Sequence, residues 1–122
     1  MRRDNGFTII ELLVALTLTI IVGVLIVLQK NDIDASQRDN QRKTAVNAMY
    51  YGLKEGYYPS KKSYPVAIDA KTLPYILPDS FKTVGDDAYK VRYIGLDCKD
   101  GVCANFQLKV KLEKESEYTK NS

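Results

Sequence analysis

The chain has no histidine among its 122 residues. That removes the commonest general base and the commonest metal ligand together. It also lacks a glycine-rich phosphate loop, a nucleophile elbow and the ligand spacing of a zinc site. The sequence therefore reads as non-enzymatic and implies no cofactor. Strong charge of one sign is missing as well. The formal net charge is +3, and the first six residues, with two arginines and one aspartate, leave about +2 for the rest. A balance that mild gives no argument for a nucleic-acid partner. Charge is absent altogether between Leu12 and Leu28, where the only polar side chains are Thr17 and Thr19. Glycine and proline are absent between Gly23 and Gly52, which leaves nothing there to stop a helix.

What is present first is an apolar run from Phe7 to Leu28 behind the short basic leader Met1-Arg2-Arg3-Asp4-Asn5-Gly6. About 20 apolar residues in a helix cross the ~30 Å hydrocarbon core of a bilayer. The two leading arginines predict an N-terminus on the cytoplasmic side, with everything after Gln29 outside. A secretory signal fits less well. Its apolar region is roughly 7–15 residues long and ends in a small-residue cleavage site, whereas this run is longer and ends in Leu28-Gln29-Lys30. One residue breaks the pattern. Glu11 lies inside the run, and a carboxylate deep in a bilayer costs about 2.5–3.5 kcal/mol. A plain anchor has no use for it, so a positive group on a partner is expected to stabilise it.

The residues Gly6-Phe7-Thr8-Ile9-Ile10-Glu11-Leu12-Leu13-Val14, behind a basic leader and ahead of an uninterrupted apolar helix, resemble the class III signal of type IV pilins and pseudopilins. The resemblance implies that a membrane-embedded prepilin peptidase cuts between Gly6 and Phe7 and N-methylates Phe7. It further implies assembly into a helical filament with further copies and other minor pilins. An inner-membrane platform protein and an assembly ATPase would serve that assembly, since nothing in this chain binds nucleotide. Cleavage would create a positive amine at Phe7, which Glu11 of a neighbouring copy could meet. In a low-dielectric helix bundle that attraction is far stronger than in water. A local reading stands beside this one: Thr8-Ile9-Ile10-Glu11 is also a capping box, in which Glu11 reaches back to its own helix start, and a carboxylate in the first turn suits the helix dipole.

Beyond the apolar run the residues remain good helix formers. Val46, Met49, Tyr50, Leu53 and Tyr57 make an apolar stripe of helical period. The pattern predicts helix from Phe7 to about Tyr58, ~75 Å at 1.5 Å per residue, with Gly56 and Pro59 as its stop. The almost wholly polar stretch from Asp34 to Thr44 reads as a solvated neck. Four parts follow: leader 1–6, membrane and assembly half of the helix 7–29, amphipathic half 30–58, and a small globular β domain with a polar tail 59–122. Many type IV pilins carry a proline in the first half of this helix. Here the corresponding region has only Gly23, a weak spot in propensity terms.

The second part is expected to be a small antiparallel sheet. The stretch from Pro59 to Asp87 is irregular, and its segment Thr72–Pro78 is expected to pack against the sheet. Tyr89–Tyr93 alternates, and Phe106–Glu113 alternates for eight residues. This predicts two strands, with Phe106, Leu108, Val110 and Leu112 on the helix stripe and Gln107, Lys109, Lys111 and Glu113 outward. The sequence from Lys114 onward is polar and is expected to fray. Cys98 and Cys103 flank Lys99-Asp100-Gly101-Val102, and Asp-Gly is a strong hairpin signal. On the external side of a membrane the pair reads as a disulfide; the alternatives are free thiols, or half of a metal site that would lack ligands. Asp86, Asp87, Asp97 and Asp100 are oxygen donors of the kind calcium takes, but scattered aspartates beside turns serve as turn formers, so no metal residues are assigned. Lys61-Lys62 between Tyr57-Tyr58 and Tyr64 has the composition of a single-strand nucleic-acid grip; the alternative is a solvated loop with partly buried rings.

Taken together, the sequence predicts an α+β protein: a long N-terminal helix, its first half transmembrane, packed by its second half on a small antiparallel sheet. Three functions compete. The first is a type IV pilus-like structural subunit for adhesion, twitching motility or DNA uptake. The second is a pseudopilin of a type II secretion or competence system. The third, of another class, is a single-pass anchored binding domain that never polymerises. Similarity to major secretion pseudopilins extends to the paired tyrosines ending the helix and to Tyr64-Pro65, but those proteins often lack cysteines near the strands, which favours the first. The expected location is the cytoplasmic membrane before assembly, and a pilus or a periplasmic or wall-spanning pseudopilus afterwards.

Overall fold

The structure, a computed structural model, describes residues 6–122. The basic leader through Asn5 lies outside the described residues. The chain divides into two compact units after Asp34.

The first unit is helical. Helix α1, Ile9–Tyr51, begins here, and every residue from Gly6 to Asp34 is exposed. From Leu12 to Leu28 its sequence is apolar on every face, which is the composition of a helix whose surroundings are not water. The two threonines inside the run are satisfied within the helix. Thr17 Oγ1 donates to the carbonyls of Leu13 and Val14 at 3.1 and 2.9 Å, and Thr19 Oγ1 donates to Ala15 O at 2.8 Å. Polar side chains that close onto their own backbone are compatible with hydrocarbon. By length and composition this helix can cross a membrane.

The second unit packs the end of α1 on a four-stranded antiparallel sheet. The helix does not stop at Gly56 or Pro59. A π-helical turn, Gly52–Tyr57, follows α1 and leads into a short helix α2, Tyr58–Lys61. Pro59 occupies the first turn of α2, where no N–H partner is required. The stop is Lys62, left-handed at φ 56°, whose N–H donates to Tyr58 O at 2.7 Å. Strand β1 (Tyr64–Pro65), strand β2 (Arg92–Lys99), strand β3 (Val102–Val110) and strand β4 (Tyr118–Asn121) complete the unit. Strand β2 pairs with β3 from Arg92↔Lys109 to Lys99↔Val102. The opposite edge of β3 is shared, with β1 at Cys103 and Val102 and β4 at Gln107–Val110. Asp100 and Gly101 form the hairpin turn with φ of 52° and 79°, the paired left-handed conformation that matches the twist of two joined strands.

Several expectations need correction. Tyr89 closes a 3₁₀ turn, Asp87–Tyr89, capped by the Asp86 carboxylate, so the strand starts later, at Arg92. The chain after Lys114 does not fray. It is drawn back into the sheet as β4, tied by Lys43–Glu115 and Arg92–Glu117 ion pairs and by Tyr118 Oη donating to Asn47 Oδ1 at 3.1 Å. Alternating polar residues with only one large ring hide a four-residue strand from a periodicity count. Leu73 and Ile76 join the buried core with the strand residues, and the segment also seats on the helix. A Cβ at Gly52 or Gly56 would lie 2.4 Å from Ile76 Cδ1 or Tyr75 Cε2, and Tyr75 Oη donates to Gly52 O at 3.2 Å. The two glycines thus serve as a seat for Tyr75-Ile76.

The core joins Val46, Met49 and Leu53 of the helical segment to Phe106, Leu108, Val110 and Leu112, as the two periodicities require. Phe106 sits at the centre, its ring 4.7 Å from Tyr64 and 5.9 Å from both Tyr50 and Tyr93. Tyr93 donates its hydroxyl to Pro65 O at 2.6 Å, and burial pushes that hydroxyl's pKa up to about 12.

The polar stretch read as a solvated neck is in part core. Asp39 is 3% and Arg42 1% exposed. Arg42 Nη1 donates to Asp39 Oδ1 at 2.7 Å, Nε and Nη2 donate to Val84 O, and Nη2 also meets Glu113 Oε1 at 2.8 Å. Asp39 accepts from the backbone N–H of Glu113 and Lys114 at 2.9–3.0 Å. Glu113, exposed as expected, also binds Arg38 in a bidentate pair at 2.7 and 2.8 Å. No buried side-chain polar atom lacks a partner among the described residues. Desolvation pushes the Asp39 carboxyl up, but the two backbone donors and Arg42 outweigh it and hold it below the usual range. The Arg38 guanidinium, helped by Arg42, holds Glu113 down at about 2. Gly85, at φ 87°, brings the Val84 loop so close that a Cβ would stand 2.9 Å from Arg42 Nη2.

Cys98 and Cys103 face each other across the hairpin and form a disulfide. It closes a short loop, worth about 2 kcal/mol in the chain-entropy account. Asp97, left-handed at φ 53°, reorients the hairpin end. The burial pattern of β3 steps out of alternation here, so that Cys103 faces inward as Phe106 does. Gly95 makes room, since a Cβ there would lie 2.6 Å from Cys103 Sγ and 3.0 Å from Cys98 Sγ. Gly95→Ala is therefore expected to cost about 1–3 kcal/mol through overpacking, read as a lower midpoint in denaturant. An unchanged midpoint would mean the bridge shifts freely.

Candidate processing and assembly segment

Gly6, Phe7 and Thr8 precede the first helical residue and carry no regular structure. Phe7 is 85% exposed, and nothing lies within 4 Å of a Cβ at Gly6. The Gly6–Phe7 bond is thus accessible and lies immediately before a helix start. Thr8 caps that start. Its Oγ1 accepts from Glu11 N–H at 3.2 Å, while Glu11 Oε2 accepts from Thr8 N–H at 2.9 Å and from Thr8 Oγ1 at 3.0 Å. This is the reciprocal capping box written by Thr8-x-x-Glu11. It holds the carboxylate beside the N-terminal end of the helix, the end where the dipole favours negative charge. It also places Glu11 within one turn of Phe7, where the amine created by cleavage would lie. Capping alone uses one carboxylate oxygen, Oε2, and Glu11 is exposed.

The other sequence candidates sit apart from this segment. The Asp86 carboxylate is taken by Ala88 N–H and that of Asp97 by Asn105 Nδ2, while Asp100 forms the hairpin turn. No group of three or more metal-ligating side chains occurs among the described residues. Around Lys61-Lys62, Tyr64 is buried between Tyr58 and Phe106, and Tyr57 is half-buried. The buried Asp39–Arg42–Glu113 cluster was missed by sequence reasoning. Its signal was weak but present: acidic and basic residues three apart, in phase with the apolar stripe that begins at Val46.

Residues 1–27 match a family model described as the prokaryotic N-terminal methylation motif. No curated protein and no solved structure matches the chain. The motif is the class III signal of type IV pilins and pseudopilins, and this chain carries it. The motif supports a type IV pilin-like or pseudopilin precursor, a structural subunit rather than an enzyme. The apolar helix that bears the signal fits a membrane-anchored precursor.

Proposed function

We propose that this protein is the structural subunit of a type IV pilus-like filament, cut between Gly6 and Phe7, N-methylated on Phe7 and assembled through its N-terminal helix. The observation that carries the reading is the methylation motif over residues 1–27 on a helix whose apolar residues from Ile9 to Ile33 are all exposed. Such a surface has two stable environments, lipid before assembly and neighbouring helices after it. In this reading Glu11 pairs with the Phe7 amine of a neighbouring copy and sets the axial register. The partners are further copies, minor pilins, the prepilin peptidase, the platform protein and the assembly ATPase. The precursor sits in the cytoplasmic membrane with its N-terminus inside, so the Cys98–Cys103 bridge forms on the outer side, where disulfides persist. Its four parts are the leader 1–6, an assembly segment 7–29, an amphipathic segment 30–58 and the β-bearing remainder. Adhesion, twitching motility and DNA uptake are the roles such a filament serves.

The intact mass and N-terminal peptide of the protein from its native cell test this. A chain beginning at N-methylated Phe7 is expected; one still beginning at Met1 would overturn the reading. Glu11→Gln separates the two roles of the carboxylate. The amide oxygen can still accept from Thr8 N–H, so the helix start survives, but the charge is lost. We expect processed subunits to accumulate with most filament assembly gone, scored by shearing and immunoblot. Assembly at the wild-type level would reduce Glu11 to a cap.

A further inference from the structure

We propose that a groove beside the helical segment of the second unit binds a neutral oligosaccharide. The site belongs to the single subunit and does not depend on the filament reading. Two adjoining cavities of about 470 and 560 Å³ share Thr44, Leu77 and Ser80 and so form one continuous groove. Each lies within the roughly 300–1,000 Å³ of small-molecule sites. One end of the groove is lined by amides. Gln37, Asn40 and Gln41 lie on one helix face at three- and four-residue spacing. Among the described residues, their side chains and the Ser80 hydroxyl beside them make no hydrogen bond within the protein. An amide offers both an acceptor oxygen and N–H donors, the mixed capacity that sugar hydroxyls require.

The other end is aromatic. Tyr51 and Tyr75 are 52% and 54% exposed, and Leu77, shared by the two cavities, is 75% exposed. Tyr75 is held by its bond to Gly52 O and by its close approach to Gly56, so its ring is in place before any ligand arrives. A tyrosine ring offers a flat apolar body with a polar tip, on which the C–H face of a pyranose packs. This end is built on the π-helical turn Gly52–Tyr57. Such turns are rare and frequently sit at functional sites.

Charge narrows the ligand further. Asp79 lines one cavity and Glu55 the other, while no lysine or arginine lines either. Asp79 is paired with Lys82 at 2.6 Å, which weakens the field at that end without placing a cation in the groove. Carboxylates repel an acidic glycan or a nucleic acid and accept from neutral hydroxyls. An apolar occupant would cover the free amides and the carboxylates without giving them partners. A neutral sugar chain satisfies both ends, with hydroxyls at the amides and C–H faces on the rings. The floor runs about 22 Å from Gln37 to Gly52 at 1.5 Å per residue, room for several sugar units in a row.

The test titrates the full chain, isotope-labelled for NMR in zwitterionic micelles that carry no sugar headgroup. The probes are maltotetraose, cellotetraose and chitotetraose, which span α-linked, β-linked and N-acetylated neutral sugars. The expected result with at least one of them is a saturable shift of the Gln37, Asn40 and Gln41 side-chain amide signals, at a Kd of about 1 mM or tighter. Gln41→Met keeps the length of the side chain and removes its hydrogen bonds, and Tyr51→Ala removes one exposed ring. Each is expected to weaken binding by about fivefold to tenfold while the backbone spectrum stays that of the folded chain. No saturable shift with any of the three sugars, or unchanged affinity in either variant, would overturn the proposal. So would tighter binding of tetragalacturonate, an acidic glycan, or of a decaproline peptide, the other ligand class that docks on aromatic grooves.

Discussion

Arg42→Ala is expected to destabilise the second unit by about 3–5 kcal/mol, the range for removing one partner of a buried ion pair. Arg42 is 1% exposed, and its guanidinium joins three parts of the chain: Asp39 on the same helix, Val84 O in the loop, and Glu113 after β3. Its guanidinium carbon also stands over the Tyr89 ring, 4.0 Å from the centroid. Alanine would take a donor from Val84 O and from the Asp39 and Glu113 carboxylates, leaving Asp39 buried with its backbone donors alone and without its paired cation. Denaturant unfolding of the full chain in zwitterionic micelles reads the effect, and a loss below about 1 kcal/mol would mean that the cluster behaves as a surface pair. Acid should reach the same cluster. Asp39 and Glu113 both have carboxyl pKa values lowered by folding. Their contribution is therefore complete above the unfolded values of 3.8 and 4.5; that of Glu113 is lost as pH falls towards about 2, and that of Asp39 as pH falls below its ordinary value. In Arg42→Ala that acid transition should begin at higher pH, because one of the groups lowering both carboxyls is gone.

Phe106→Ala should cost a similar amount, about 3–5 kcal/mol, for a different reason. Phe106 is fully buried, and its ring is the common neighbour of Tyr50, Tyr64 and Tyr93. Those three come from the helix, β1 and β2, so no single element can close the space that alanine leaves. The loss has both a transfer part and a cavity part. Tyr51→Ala is the control. Tyr51 is 52% exposed, and its removal should change stability by no more than about 0.5 kcal/mol. Equal effects at the two positions would place the core elsewhere.

The sequence by itself determined the features in which each residue acts through its near neighbours or through bulk solvent. Apolar composition alone makes the helix of membrane length over residues 9–28. Thr8 and Glu11 write their own cap because three residues make one helical turn. Period-two alternation assigns Phe106, Leu108, Val110 and Leu112 to one face, and Asp100-Gly101 dictates its own turn. The tertiary structure decided what depends on residues distant in sequence. Asp39 and Arg42 look like solvated charges until Val84 and Glu113 arrive from more than 40 and 70 positions away and replace water as hydrogen-bond partners. Gly52 and Gly56 look like helix breakers until Tyr75 and Ile76 need their vacant Cβ positions. The polar tail becomes β4 because the open edge of β3 supplies a ladder that local propensity does not contain. Burial of a charge and pairing of an edge are properties of the assembled space, and no local pattern encodes them.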